Sequence, residues 1–570
     1  MDKGTEGDGG FFMLNLIPSV KKLDIKNGFL DKTTINYKDI TCDSRIITAL
    51  SKLPFDEEGT KIHINILQEQ GEEYELRIDS EGIWIEASGP VGAFYAVQTL
   101  RQIWKHKRIP YLYIKDKPDF PYRGFYHDVT RGKVPTVTTI KRLIDQMAYY
   151  KLNSLQVYVE HTFEFEECKE LNQKTGYLTA EEIREIDRYA RENFIEFIPS
   201  LATFGHLYEL LEQDKYRHLR ILKDFEASPN FWKERMAHHT IDPSEKESFE
   251  LVKSLMEQYY PLFESDVFNI CCDETFDLKN SEDYISFVKQ IINYLQQKNK
   301  KIMMWADILL LHPETIELIP EDVLFLNWEY CENPSEDKIL RFAKLDRKQI
   351  VCPGTNSWNR LCEYVIAEEQ NISKMAEYGY KNGAIGVLNT NWGDWGNPCS
   401  LELSMYGMVL GAQKSWTVER ELDEKFYEDV NFLLYEQENA IQYLKRISKM
   451  QDVVYWCNLL QYYFDCRFNE AVTALSIEPE TVRMIQSEYL LISNELSGQT
   501  WKNDEFRQEM LISAEGICVM AELYAKIAKL DIDRVTDTKA WLDKYRNKWV
   551  EKNKESELSK IEEVFLYLDR

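Results

Sequence analysis

The 570-residue chain is predicted to be an α/β protein: a (β/α)8 TIM barrel with a small N-terminal α/β domain and an all-α C-terminal domain. Three observations lead there. Between residue 122 and about 415, eight short apolar runs alternate with amphipathic helical stretches, which is the size and rhythm of a TIM barrel. Ahead of them, apolar and polar residues alternate at period two, the mark of half-buried strands. Beyond Glu419 the chain is rich in Leu, Glu, Lys, Tyr and Ala and has very few Pro or Gly. A chain this long exceeds one core. The expected domains are 11–117, 118–418 and 419–570.

In the first domain, 61–66 and 74–78 alternate cleanly, and 82–86 follows as a third strand. Gly89-Pro90 then opens a helix through Ala93, Tyr95, Ala96, Leu100 and Ile103, and Pro118 and Pro121 punctuate the boundary. The eight barrel runs are 124–129, 154–159, 196–201, 267–272, 301–305, 323–328, 349–353 and 384–388. Helices are expected at 138–151, 180–192, 246–259 and 281–297. A doubly wound open sheet competes, but no Gly-rich dinucleotide fingerprint follows any strand. In the last domain, helical periodicity fits 426–444 and 505–528, read as a packing or dimerisation element.

Charge and composition exclude several classes. With 69 Lys and Arg against 96 Asp and Glu, the net charge of −27 repels nucleic acid and anionic membrane surfaces, so neither is an expected partner. The N-terminus is acidic and Gly-rich with no apolar signal core behind it, and no run approaches a membrane span. Eleven Cys without a framework spacing suit reduced thiols, so a cytoplasmic location is expected. No Cys/His spacing suggests a metal, and no cofactor is implied.

In a TIM barrel the reactive groups sit where the strands end. The fourth run ends Asn269-Ile270-Cys271-Cys272-Asp273-Glu274. Asp-Glu pairs are common in this acidic chain, so position is what separates this one. Adjacent side chains inside a strand point opposite ways; only at the strand's exit do both reach one pocket. The first run reads Arg123-Gly124-Phe125-Tyr126-His127-Asp128-Val129-Thr130-Arg131. Arg123 suits a buried ion pair, whereas Arg131, past the strand end, suits a fork onto two sugar hydroxyls. The second and third runs end at Glu160-His161 and at Thr203-Phe204-Gly205-His206. The fifth, sixth and eighth end at Trp305-Ala306-Asp307, Trp328-Glu329 and Trp392-Gly393-Asp394-Trp395. One strand-end Trp is ordinary core, but three around one mouth suggest walls for a sugar ring.

These motifs, in this order, resemble glycoside hydrolase family 20, and most of all its streptococcal-type β-hexosaminidase branch. The similarity covers all three domains, and its markers are Arg-Gly-x-x-x-Asp-x-x-Arg, the Asp-Glu pair and Trp-Gly-acid. The resemblance implies an exo-acting β-N-acetylhexosaminidase acting on glycans with terminal GlcNAc or GalNAc. By it, Asp273 orients and charge-stabilises the 2-acetamido group and Glu274 is general acid, then base. Arg131 binds the C3 and C4 hydroxyls, Trp305 and Trp392 wall the pocket, Asp394 accepts hydroxyl hydrogen bonds, and Glu160 and His206 support the acids. Well-known members carry Asp at the position of Glu160 and Glu at that of Asp394. They also hold the acetamide carbonyl with a seventh-strand Tyr. Here that segment reads Pro353-Gly354-Thr355-Asn356-Ser357-Trp358-Asn359, and Trp358 and Asn359 occupy the region.

Adjacent acids cannot straddle a glycosidic bond as the two carboxyls of ordinary retaining glycosidases do. The substrate's acetamide oxygen is then the expected nucleophile, giving an oxazoline intermediate and retained configuration. Like-charge proximity and burial are expected to leave Asp273 ionised and Glu274 protonated. Two other readings compete. The Asp-Glu pair argues against the O-GlcNAc-removing families, whose pair is usually Asp-Asp. The full set of acids with Arg131 and His206 argues against a carbohydrate-binding protein on a retired barrel. Preference between epimers, the natural glycan and a possible homodimer are open at this stage.

Overall fold

The structure, a computed structural model, describes residues 13–570 apart from 32, 224–234, 469–471 and 473. Residues 11 and 12 of the expected first domain lie outside the described residues.

The N-terminal domain is a mixed sheet of six strands: β1 (Lys22–Phe29), β2 (Ile35–Asn36), β3 (Thr60–Ile66), β4 (Tyr74–Asp79), β5 (Gly82–Ala87) and β6 (Pro110–Asp116), in the order β1-β6-β4-β5-β3-β2. Strands β3, β4 and β5 match the three runs expected from the sequence. The edge strand β1 is mostly exposed, so it lacks alternation. On β6 the outward positions are Tyr111 and Tyr113, which disguise the period as a continuous apolar run. Helix Pro90–Ile103 is buried on nearly every side, because it lies between this sheet and the barrel. Its Gln102 amide donates to the Ile17 carbonyl and to the Tyr149 carbonyl, which belongs to the barrel's first helix, Val137–Tyr149.

The barrel closes in full. Its strands are β7 (Tyr122–Asp128), β8 (Ser154–Val159), β9 (Glu196–Leu201), β10 (Val267–Asn269), β11 (Lys301–Trp305), β12 (Leu324–Trp328), β13 (Gln349–Cys352) and β14 (Gly386–Asn391). All neighbours are parallel, and β14 pairs with β7 from Gly386↔Tyr122 to Asn391↔His127. Two strands differ from expectation in a way that matters. The fourth stops at Asn269 rather than 272, and the eighth runs on to Asn391. Arg123 is fully buried on β7, where it clamps the barrel to the first domain. Its guanidinium donates to both Glu72 carboxylate oxygens (3.0 and 2.9 Å), to the Tyr95 hydroxyl (2.8 Å) and to the Lys151 carbonyl (3.0 Å). The ion-pair reading of Arg123 therefore holds.

The C-terminal region is helical, with helices that include Trp456–Phe468, Pro479–Ser497, Asp504–Ile527, Thr538–Lys552 and Leu558–Leu568. The single helix expected over 426–444 is instead Glu424–Val430, a π-turn at Asn431–Tyr435 and a new helix Ala440–Met450. Glu436 (φ 51°) and Asn439 (φ 61°) adopt left-handed backbone between them and break the run. This region grips the mouth of the barrel. The Thr136 N–H donates to the Lys552 carbonyl (2.9 Å), the Lys554 N–H to the Val134 carbonyl (2.9 Å) and the Glu557 N–H to the Gly132 carbonyl (3.1 Å). The Tyr545 hydroxyl donates to the Pro398 carbonyl at 2.8 Å. So the tail packs on the loops after the first and eighth barrel strands. No helix among the described residues is long and apolar enough to cross a membrane.

Where barrel helix Val365–Lys381 meets these helices, Glu363 and Glu368 are both fully buried. Burial raises the proton affinity of both carboxyls well above the ordinary, and the charge of Glu363 raises Glu368 further. Groups raised in this direction favour the folded state at low pH, and that benefit fades as pH climbs above about 4.5, at about 1.4 kcal/mol per pH unit per group. Glu368→Gln, equal in shape and never charged, should match the parent's Tm near pH 5 and exceed it increasingly toward pH 8. A Tm difference that stays flat with pH would remove Glu368 from that role.

Candidate active site

The acid pair sits on an unusual stretch of backbone. After β10, Cys271 (φ 56°), Cys272 (φ 67°) and Glu274 (φ 52°) all adopt left-handed conformations. Each such non-glycine residue costs on the order of 1–3 kcal/mol and persists only where its surroundings fix it. They do so here. The carbonyl of Ile270 accepts from the Thr203 hydroxyl (2.6 Å), that of Cys271 from the Trp305 N–H (3.1 Å) and that of Cys272 from the Tyr284 hydroxyl (2.9 Å). The Glu274 N–H donates to Asp307 Oδ2 at 2.8 Å. Gly205 is required on the facing loop, since a Cβ there would lie 2.4 Å from the Asp273 carbonyl oxygen. The early end of the fourth strand thus lets neighbouring side chains share one pocket.

His206, itself left-handed (φ 59°), stands between the acids, its Nε2 3.3 Å from Asp273 Oδ2 and 3.3 Å from Glu274 Oε2. Burial favours the neutral ring, but the two carboxylates outweigh it and raise His206 to about 10, so the ring is an imidazolium at neutral pH. Its backbone N–H donates to Nδ1 of His239 at 2.9 Å, which burial and the charge of His206 keep neutral. Burial would raise Glu274 too, yet His206, then Arg131, hold its carboxyl below the ordinary range. This corrects the expectation of a raised, protonated Glu274: the cation beside it outweighs burial.

Arg131 lies opposite, 14% exposed, forking between Asp394 and Glu160 (Nε to Oε1, 3.4 Å), with Asp128 at 3.7 Å. Its guanidinium carbon is 5.0 Å from the ring centroids of both Tyr158 and Trp392. Asp128 Oδ1 accepts from the N–H groups of Thr130 (2.9 Å) and Arg131 (3.1 Å), and its Oδ2 from the Gly393 N–H (3.1 Å). One buried carboxyl thus ties the first strand's loop to the eighth. Glu160 ties into the site through two arginines. It makes no ion pair with His206 among the described residues; its Oε2 accepts from Arg235 (2.8 Å) and its Oε1 from the Tyr158 hydroxyl (3.0 Å). Burial opposes its charge, but Arg235 and Arg131 overcome that and lower it to about 2.

The aromatic wall also differs from expectation. Trp305 is fully buried, 5.3 Å from Tyr126 and 5.8 Å from Trp392 between ring centroids. Its position inside β11 aims it into the barrel, so it is a floor under the site rather than an open wall. Trp392, 8% exposed, donates through Nε1 to the Tyr330 hydroxyl at 2.8 Å. Trp328 stacks on Tyr330 (5.0 Å, 12°), and Trp358 meets that ring edge-on at 5.2 Å. Trp328, Trp358 and Trp392 therefore converge on one tyrosine that the strand-end reading stopped one residue short of. Arg235 and Asp307 were missed as well. Arg235 carries no signal in sequence, while Asp307 stands two residues after a strand-end Trp.

Beside Arg131 a cavity of about 80 Å³ is lined by Asp394, Trp395, His206, Glu209 and, from the C-terminal helices, Glu557. A larger cleft of about 740 Å³, lined by Lys105, Phe432 and Lys502 among others, includes no strand-end residue, so chemistry rather than volume places the site. Among the described residues no cluster of His, Cys, Asp and Glu is arranged to hold a metal ion. What the arrangement offers is two acids bridged by a cation, a forked guanidinium for hydroxyls, and aromatic faces.

Comparison with known proteins agrees with this chemistry. The family description "Glycosyl hydrolase family 20, catalytic domain" matches residues 120–385, and "Glycosyl hydrolase family 20, domain 2" matches 14–117. A β-hexosaminidase of Vibrio furnissii is 28% identical over 357 residues, 52% of this chain and 54% of its own length. One from Porphyromonas gingivalis is 28% identical over 305 residues, 44% of this chain and 38% of that protein. The matches thus span about half or less of these relatives. Among solved structures, the chitobiase of Flavobacterium johnsoniae superposes with a TM-score of 0.59 at 17% identity, over 97% of this chain and 99% of that one. The exo β-N-acetylglucosaminidase of Vibrio harveyi gives 0.58 at 18% identity, over 73% and 75%. These likenesses are of fold.

Proposed function

Because the chain belongs to glycosyl hydrolase family 20, we propose that it is an exo-acting β-N-acetylhexosaminidase that removes terminal β-linked GlcNAc or GalNAc with retention of configuration. The observation that carries the proposal is the adjacency of Asp273 and Glu274 on one left-handed turn, both 3.3 Å from His206. Two carboxyls so placed lie on one side of a bound sugar, so the nucleophile must come from the substrate, as in the exception this family makes to the two-carboxylate scheme.

In this reading the 2-acetamido oxygen attacks C1 while Glu274 delivers a proton to the leaving oxygen. The Asp273 carboxylate balances the positive charge that grows on the acetamide nitrogen. Water, deprotonated by Glu274, then opens the oxazoline at C1. His206 is where the proton rests beforehand; its transfer to Glu274 as sugar displaces water leaves a neutral ring beside a competent acid. Tyr330 supplies the hydroxyl that holds the acetamide carbonyl, supported by its contacts with Trp328, Trp358 and Trp392. Arg131 and Asp394 let go of one another in part to grip the C3, C4 and C6 hydroxyls. Asp394 is one methylene shorter than Glu, leaving room for an axial or equatorial C4 hydroxyl with a water making up the difference, at about 1 kcal/mol. Eleven unpaired cysteines, most of them buried, support a reducing compartment as its place of work.

The test is a panel of nitrophenyl glycosides. The β-GlcNAc and β-GalNAc substrates should differ by about tenfold or less in kcat/KM, a glycoside lacking the acetamido group should be poor, and a GlcNAc thiazoline should inhibit competitively. A sugar trapped covalently on an enzyme carboxylate would overturn the mechanism, and release of internal oligosaccharides the exo reading.

A further inference from the structure

We propose that Asp307 is a positioning residue for this reaction: its carboxylate holds the Glu274 peptide N–H in the left-handed turn and sets the charge felt by the Asp273–Glu274 pair. The inference rests on the glycosidase reading above.

Asp307 follows the fifth barrel strand by two residues and opens the short helix Asp307–Leu311. From there its Oδ2 accepts the Glu274 N–H at 2.8 Å, joining the exits of the fourth and fifth strands through one side chain. A non-glycine residue in left-handed backbone relaxes toward the ordinary basins unless something outside the chain's own propensity fixes it. The Glu274 carbonyl only closes a tight turn onto the Phe276 N–H (2.8 Å), whereas the Asp307 bond is the contact that reaches the Glu274 amide from another strand.

The other oxygen, Oδ1, is sealed from solvent and has no hydrogen-bond partner, and no cation pairs with Asp307 among the described residues. The groups that face it are Asp273, Glu274 and Cys272 from the loop after β10 and Tyr284 from helix Ser281–Gln296. All are acids or neutral. Burial first, then the charge of Asp273, raise Asp307 to about 7 against the pull of the Glu274 N–H. It therefore gains its charge in the range where the enzyme would work. Once charged, it repels the neighbouring carboxylates and makes the proton shared by His206 and Glu274 stay to higher pH.

Two variants separate holding from charge. Asp307→Asn keeps an oxygen for the Glu274 N–H and abolishes the charge. Its kcat at the optimum should stay within about threefold of the parent, while the alkaline limb of kcat/KM moves to lower pH by about half a unit or more. Asp307→Ala removes both. Its kcat should fall about 10- to 100-fold with KM within about threefold, and more steeply for disaccharides than for nitrophenyl glycosides. Amide hydrogen exchange of a peptide spanning 271–276 should be faster in Asp307→Ala and parental in Asp307→Asn, whatever the substrate. An Asp307→Asn profile superimposed on the parent's overturns the charge role, and it decides the matter even if Asp307→Ala does not fold. Parental kcat and exchange in Asp307→Ala overturn the holding role. If the parent hydrolyses no N-acetylhexosaminide, the functional reading fails, and the exchange experiment still reports on the Asp307 contact.

Discussion

Glu274→Gln should lower kcat by about 10²–10⁴-fold, the worth of roughly 3–5 kcal/mol of proton transfer in the transition state. The substitution keeps size and leaves the left-handed turn in place, because that turn is held through the backbone: the Glu274 N–H on Asp307 and the Cys272 carbonyl on Tyr284. What it removes is the proton that the leaving oxygen needs. Substrates with a very acidic leaving group need little help and should lose far less, and the alkaline limb of the pH profile should flatten. His206 changes too: without the Glu274 carboxylate at 3.3 Å it keeps only Asp273, so its ring should release its proton at lower pH. An equal loss for good and poor leaving groups would take Glu274 out of the acid role.

Arg131→Ala should be as damaging by a different route. The guanidinium is 14% exposed and faces three carboxylates, Asp394, Glu160 and Asp128. Removing one partner of a buried ion pair costs about 3–5 kcal/mol because the other is stranded. Glu160 keeps Arg235, but Asp128 and Asp394 lose their main cation. The loops after the first and eighth strands, tied through Asp128, should loosen and Tm should fall. Loss of the fork onto two sugar hydroxyls should also cut kcat/KM by about 10³-fold, about 4 kcal/mol, for GlcNAc and GalNAc glycosides alike. Arg131→Lys should recover stability better than activity, since a point charge cannot fork. Activity of Arg131→Ala within tenfold of the parent would show that the sugar is gripped elsewhere.

The barrel was legible because each strand is a short apolar run and each gap a helix with period 3.6; both signals are local. The acid pair was legible for the same reason, since adjacency at a strand's exit is a statement about neighbouring residues. What the sequence hides is pairing across distance. Glu160 was expected to support the acids, but its partner Arg235, 75 positions away, carries no mark in the sequence. The proton state of Glu274 was misjudged because His206 comes from another strand and its charge outweighs burial. Trp305 looked like a wall because strand ends line the pocket, but it is still inside β11 and points to the core. Tyr330 hid one residue beyond Trp328-Glu329, where its significance depends on a bond to Trp392 from the eighth strand.

The grip of the C-terminal helices on the mouth of the barrel sets an order of events during synthesis. The ribosome releases the barrel strands before the C-terminal helices, and β7 cannot finish pairing until β14 emerges. Even then the Gly132 carbonyl still lacks Glu557, and the cavity beside Arg131 lacks a side. A nascent chain arrested anywhere between about residue 420 and residue 550 should hold a formed barrel with an incomplete mouth. Catalysis should therefore switch on late and abruptly as translation proceeds, and a frameshift just ahead of Glu557 should be as silent as one in the barrel itself.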